Sequence, residues 1–163
     1  MNQTELAADG LNRSFGMLTQ TIADFSDADI LVRPVPAANH TAWQLGHLAV
    51  ATAHLCNMIK PGSVTPPAPA FAEKFTKETS SKDDAAFFPK KAAIMDQLSN
   101  VTSSAVAMIK TLTPADLDKP MPEKMAAMFP TAGHVVGMLS GHLMMHVGQF
   151  QVIRRKLGRP ILF

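Results

Sequence analysis

Two long stretches of this chain carry no Asp, Glu, Lys or Arg: the residues between Arg33 and Lys60, and those between Lys124 and Arg154. A helix facing water is normally covered in charge on its outer side, so runs like these have to be hidden on most of their surface. The second run is longer than the roughly 20 residues that span a bilayer, and a membrane helix is therefore the first reading to test. It contains Pro130, His134, His142, His146, Gln149 and Gln151, and hydrocarbon tolerates so many polar groups poorly. The first run opens with Pro34, Pro36, Asn39 and His40, which leaves too short an apolar segment. Two helices buried on most sides of a soluble bundle account for both, with no membrane partner.

The remaining composition narrows the class. A length of 163 residues predicts a single domain over 1–163, and a 47% hydrophobic fraction supplies a core and excludes a disordered chain. The lone Cys56 excludes a disulfide framework, a Cys-rich zinc module and a CxxC redox site, and it fits a reducing cytoplasm. Fifteen basic residues against thirteen acidic ones make no polyanion-binding surface, so no nucleic-acid partner is expected. Glu5 and Asp9 interrupt the N-terminal segment where an export signal needs an apolar run.

Four helices are predicted, and no strand. The first covers about Thr4 to Phe25, with Leu6, Leu11, Phe15, Leu18, Ile22 and Phe25 near a 3.6-residue period. The second runs from Thr41, read as its N-cap, to Ile59, where Pro61-Gly62 stops it. The third covers about Pro89 to Leu112, and the fourth runs from Thr131 or Ala132 to Leu157, with Gly158 as C-cap. The connection over 61–88 is too long for a simple antiparallel turn and predicts a crossover or a lid. Two stretches echo each other: Ser26-Asp27-Ala28-Asp29-Ile30 before Gly46-His47-Leu48, and Thr113-Pro114-Ala115-Asp116-Leu117 before Gly141-His142-Leu143.

All six histidines lie in or beside the two uncharged runs. His142 and His146 stand one helical turn apart on one face, the spacing at which two imidazoles can converge on one ion. Leu143 stands where a zincin would carry its catalytic Glu, which argues against that protease class. His47 is the best candidate for a third ligand from another helix; otherwise it is a core histidine bonded to a backbone or Gln partner. His134 lies too far along its helix axis to join the pair.

These residues carry a resemblance. Thr41-Ala42-Trp43-Gln44-Leu45-Gly46-His47-Leu48, then His142-Leu143-Met144-Met145-His146-Val147-Gly148-Gln149 running into Arg154-Arg155 and Gly158, resemble the DinB/YfiT-like superfamily over nearly the whole chain. The resemblance implies an all-α four-helix bundle with a long crossover between helices 2 and 3, often a homodimer. It implies zinc or nickel held at His47, His142 and His146, and enzymes that use a low-molecular-weight thiol on a small-molecule substrate.

Three neutral imidazoles would leave the ion open to a further ligand, as in catalytic rather than structural sites. Such an ion activates a thiol for transfer or a water for hydrolysis, and with no carboxylate on either histidine helix an anionic fourth ligand is favoured. Any acidic support would come from Glu5, Asp9, Asp24 or Asp96. Gln149, His40 and His54 are candidates for the pocket or for positions behind the ligands. Gly133, Gly137 and Gly141 predict a close helix approach or a dimer contact. The basic cluster Arg154, Arg155, Lys156 and Arg159 reads as helix-dipole compensation, or as a seat for an anionic thiol. The rival class is a non-catalytic metal-binding stress-response protein whose ion is mainly structural.

Overall fold

The computed structural model describes residues 1–162. Four long helices carry the fold: α1 (Gln3–Thr21), α2 (Thr41–Ile59), α3 (Lys91–Lys110) and α4 (Ala132–Lys156). Each begins and ends for a local reason. Asn2 caps α1 through a reciprocal box with Glu5, and Gly158 closes α4 with φ +67°. The first helix stops at Thr21 rather than Phe25, although Ile22 and Phe25 remain in the core beyond its end. The third starts at Lys91, not Pro89, because Lys90 is extended (φ −62°, ψ 153°) and the Lys91 backbone N–H donates to the Asp27 carboxylate at 2.7 Å. His40, not Thr41, caps α2: its Nδ1 accepts the Trp43 backbone N–H at 3.1 Å.

Side-chain pairings between helices give the topology. Ser14 Oγ lies 2.7 Å from Ser140 Oγ, and Arg154 donates to the Thr21 carbonyl at 2.8 Å, so α1 and α4 run parallel. Lys91 at the start of α3 donates to the Ile22 carbonyl just past α1, which makes that pair antiparallel. Gln44 reaches His146 while Leu55 and Ile59 pack on Ala132 and Val135, so α2 and α4 are antiparallel. Lys60 donates to Thr111 Oγ1 at 3.0 Å, and the ends of α2 and α3 therefore coincide. α1 and α2 each pack on both α3 and α4 and occupy opposite corners of the bundle.

Parallel neighbours α2 and α3 force the chain back along the full length of a helix, about 30 Å for 20 residues. That is the crossover over residues 60–90. It is a fastened strap. Phe75 and Phe88 are buried, and the Arg33 guanidinium donates to Asp83, to the Ala38 carbonyl and to the carbonyls of Ser80 and Lys82. The two echoing stretches cap opposite ends with the same bonds: Ser26 and Asp29, like Thr113 and Asp116, exchange reciprocal side-chain-to-backbone hydrogen bonds.

The core runs through all four helices, from Leu11 and Leu18 to Leu45, Leu48, Ile94, Leu98, Leu139 and Leu143. Among the described residues no helix is long and apolar enough to cross a membrane.

Two glycines test the packing. A Cβ on Gly46 would overlap the Phe75 ring of the strap, whereas one on Gly137 meets nothing within 4 Å. Overpacking costs about 1–3 kcal/mol, against a gain of about 1 kcal/mol in helix propensity. Gly46→Ala should therefore lower the urea midpoint and Gly137→Ala raise it. A Gly46→Ala protein as stable as Gly137→Ala would mean that Phe75 is not seated on α2.

Candidate metal centre

Trp43, Gln44, Gly46 and His47 occupy the first two turns of α2, and His142 and His146 lie one turn apart near the middle of α4. The antiparallel crossing brings His47 opposite the pair. Ring centroids are 5.2 Å apart for His47 and His142, 5.8 Å for His47 and His146, and 5.0 Å for His142 and His146. One nitrogen from each ring falls within 4.8 Å of the others. The Nε2 atoms of His142 and His146 stand 3.3 Å apart. Two imidazole nitrogens about 2.0–2.1 Å from a tetrahedral ion are about 3.3–3.4 Å from one another, so this pair already has the separation of ligands on a shared cation.

His146 is buried, while His47 and His142 are half-buried, and the group faces solvent on one side. Burial lowers all three pKa values; with repulsion between the rings it takes His142 to about 4 and His146 to about 3. The rings are neutral at pH 7, as coordination requires. The Trp43 indole stacks flat on His47, with centroids 5.0 Å apart and planes 6° from parallel. Its Nε1–H donates to the Thr76 carbonyl at 3.0 Å, so the strap holds the ring that holds the histidine. The Gln44 side chain, fully buried, lies between His146 Nδ1 at 2.5 Å and the Asn39 carbonyl at 2.6 Å.

The other residues singled out in the sequence sit elsewhere. Gln149 is exposed and makes no hydrogen bond to the histidines; Gln44 occupies the position behind them instead. Gln44 lies one turn before His47 on α2, yet it bonds His146 of α4, and no signal within one helix points to that pairing. His40 is buried as the α2 cap, bonded to the Lys82 carbonyl through Nε2, and does not line the site. His54 is exposed further along α2. His134 pairs with Thr131 at the start of α4. None of the four acidic candidates supports the rings: Glu5 caps α1, Asp9 pairs with Arg13, Asp24 with Arg154, and Asp96 is exposed on α3. Gly133 approaches the Leu117 carbonyl, but Gly137 and Gly141 face open space rather than a neighbouring helix of this chain.

Three of the four residues in the basic cluster fasten the chain, and Arg155 is exposed. Arg154, 1% exposed, donates to the Thr21 and Pro160 carbonyls and pairs with Asp24. Arg159 bridges Asp24 and Asp29, and Lys156 donates to the Arg33 carbonyl. These groups lock the end of α4 to the segment that follows α1.

Comparison with known proteins fits this arrangement. The sequence profile described as the DinB superfamily matches residues 11–150. The chain belongs to the DinB superfamily. Among solved structures, a conserved protein from Enterococcus faecalis superposes with a TM-score of 0.77 at 18% identity, over 98% of this chain and 99% of the other. YfiT from Bacillus subtilis, described as a probable metal-dependent hydrolase with an unusual four-helix bundle topology, gives a TM-score of 0.66 at 14% identity, over 96% and 89%. At these identities the likeness is one of fold. No curated protein matches this DinB chain in sequence.

The lock at the end of α4 has a pH signature. Hydrogen bonding from Arg154 holds the Asp24 carboxyl at about 2, below its ordinary 3.8. The unfolded chain binds that proton first, so the stabilisation is present above pH 4 and drains away as pH falls toward 2. Asp24→Asn should flatten acid unfolding in that window. A wild-type curve and an Asp24→Asn curve that stay parallel from pH 5 to pH 2 would count against the ion pair.

Proposed function

We propose that His47, His142 and His146 together hold one divalent transition ion, zinc or nickel, and that the protein is a metal-dependent enzyme acting on a small electrophilic substrate. The observation that carries this is the convergence of three neutral imidazoles from two helices at coordination distance, on a face open to solvent. Such a donor set fits a borderline ion, and three protein ligands would leave it short of a full coordination shell, open to a reactant. When bound, the ion supplies Lewis acidity and makes a coordinated thiol or water more acidic.

The chain's own residues favour the thiol. Hydrolysis by a zincin relies on a carboxylate base beside the ligands, and neither α2 nor the stretch of α4 before Arg154 contains one. A low-molecular-weight thiol is acidic enough to lose its proton to solvent and enter as the thiolate, whereas water would have to be ionised by the ion itself. The uncharged surroundings of the rings leave the cation's charge undiminished, which attracts that anion. Hydrolysis is the second reading, supported by the description of YfiT.

The rival, an ion that mainly stabilises the fold, is opposed by the continuous apolar core that runs through all four helices. Protein purified without chelator should carry one ion per chain, and His47→Ala, His142→Ala and His146→Ala should each lose it. Chelation should lower the melting temperature only by the binding contribution, leaving a folded bundle that no longer consumes a small thiol with an electrophile. Metal-free protein that unfolds, or histidine variants that retain the ion, would overturn the proposal.

A further inference from the structure

We infer that Gln44 is a positioning residue for this site: its buried amide holds His146 in the tautomer whose Nε2 is free to coordinate, and does so without adding charge. The inference rests on the ion site proposed above. The Asn39 backbone carbonyl can only accept a hydrogen bond. The Gln44 atom 2.6 Å from it is therefore the amide nitrogen, because reversing the amide would press two acceptors together. The oxygen end then faces His146 Nδ1 at 2.5 Å. An amide oxygen cannot donate, so the proton of that contact sits on Nδ1. In a neutral ring the lone pair is left on Nε2, the atom that stands 3.3 Å from His142 Nε2.

Several features make this a built arrangement. Gln44 is 0% exposed, so water does not compete for either end of the amide. Its anchor is backbone, in the residue just before the α2 cap His40, which is itself pinned to the Lys82 carbonyl. The slot also suits an amide better than a carboxylate, whose second oxygen would face the Asn39 carbonyl. Histidine ligands commonly lean on a carboxylate, a carbonyl or water. Here the support is a neutral carbonyl oxygen, and the full charge of the cation is left for the anionic reactant.

Long-range ¹H–¹⁵N NMR of the ion-free protein reads the tautomer of each ring. The expected result is a proton on Nδ1 of His146 that exchanges slowly with water. Gln44→Met keeps the side-chain length and removes both hydrogen bonds. It should lose the Nδ1–H signature and bind Co²⁺, used as the spectroscopic probe, about 10–100-fold more weakly, with the three-nitrogen spectrum restored at saturation. A proton on Nε2 of His146 in the wild type, or a Gln44→Met protein that binds Co²⁺ within threefold of wild type, would overturn the role of Gln44. The wild-type measurement decides the matter even where the variant fails to fold. Wild-type protein that takes up no Co²⁺ would instead overturn the ion site itself, an outcome separate from the tautomer result.

Discussion

The seam between α2 and α4 is built without a formal charge, and the rest of the bundle is arranged around that constraint. α2 is buried along nearly its whole length, whereas α4, expected to be hidden on most sides, exposes the uncharged stripe Gly137, Gly141, Met145, Gly148 and Val152; on the buried faces an ionised side chain without a partner would pay a large desolvation penalty. His146 and Gln44 meet there as a neutral, mutually satisfied pair, while the Thr41 hydroxyl and the Gln151 amide are buried with no hydrogen-bond partner among the described residues. Charge is displaced to the margins, and there it fastens the chain. Arg33, Lys60 and Arg154, which bound the uncharged runs, tie down respectively the strap, the end of α3 and the segment after α1.

The internal echo clarifies how the site is divided between its two arms. Ser26 with Asp29 and Thr113 with Asp116 form the same cap before a helix containing Gly-His-Leu, and these helices meet as antiparallel neighbours. His47 and His142 are thus contributed in the same way from the two halves. The asymmetry lies in what each arm adds. One turn beyond the shared histidine, α4 carries His146 where α2 carries Ala51. On the turn before it, α2 carries Gln44 where α4 carries Leu139. A third ring and its support therefore came from opposite arms, and they meet only because the helices cross at this level.

That crossing explains what was readable in the sequence and what was not. The four helices and the long connection followed from apolar periodicity and from the Pro61-Gly62 stop, and the pair His142 and His146 from spacing within a single helix. Local signals do not reveal which helices are neighbours. Gln149 looked suitable because it shares the angular position of His142, yet its rise of about 10 Å along the axis carries it past the site. Gln44 reaches His146 across the seam, a relation visible only once α2 and α4 are paired. The N-cap was misplaced for a similar reason: Thr41 has the better intrinsic propensity, but His40 finds a second partner in the Lys82 carbonyl of the distant strap. The arginines at the end of α4 read as compensation for the helix dipole, and only the fold shows a guanidinium enclosed by carbonyls from the end of α1 and from the C-terminal tail.

The scaffold also bears on whether an ion here would be structural or functional. In small zinc modules the chain has no core of its own, and ion binding supplies the folding energy. Here Leu45, Leu48, Leu139 and Leu143 close the same seam with apolar contacts above and below the rings. The Trp43 stack orients His47 and the Gln44 amide orients His146 through contacts that involve no ion, so capture would require little reordering of those two rings. An ion held by these three rings would leave its remaining valence to a reactant, which is why an uncharged triad beside an independent apolar core suits chemistry better than holding a fold together.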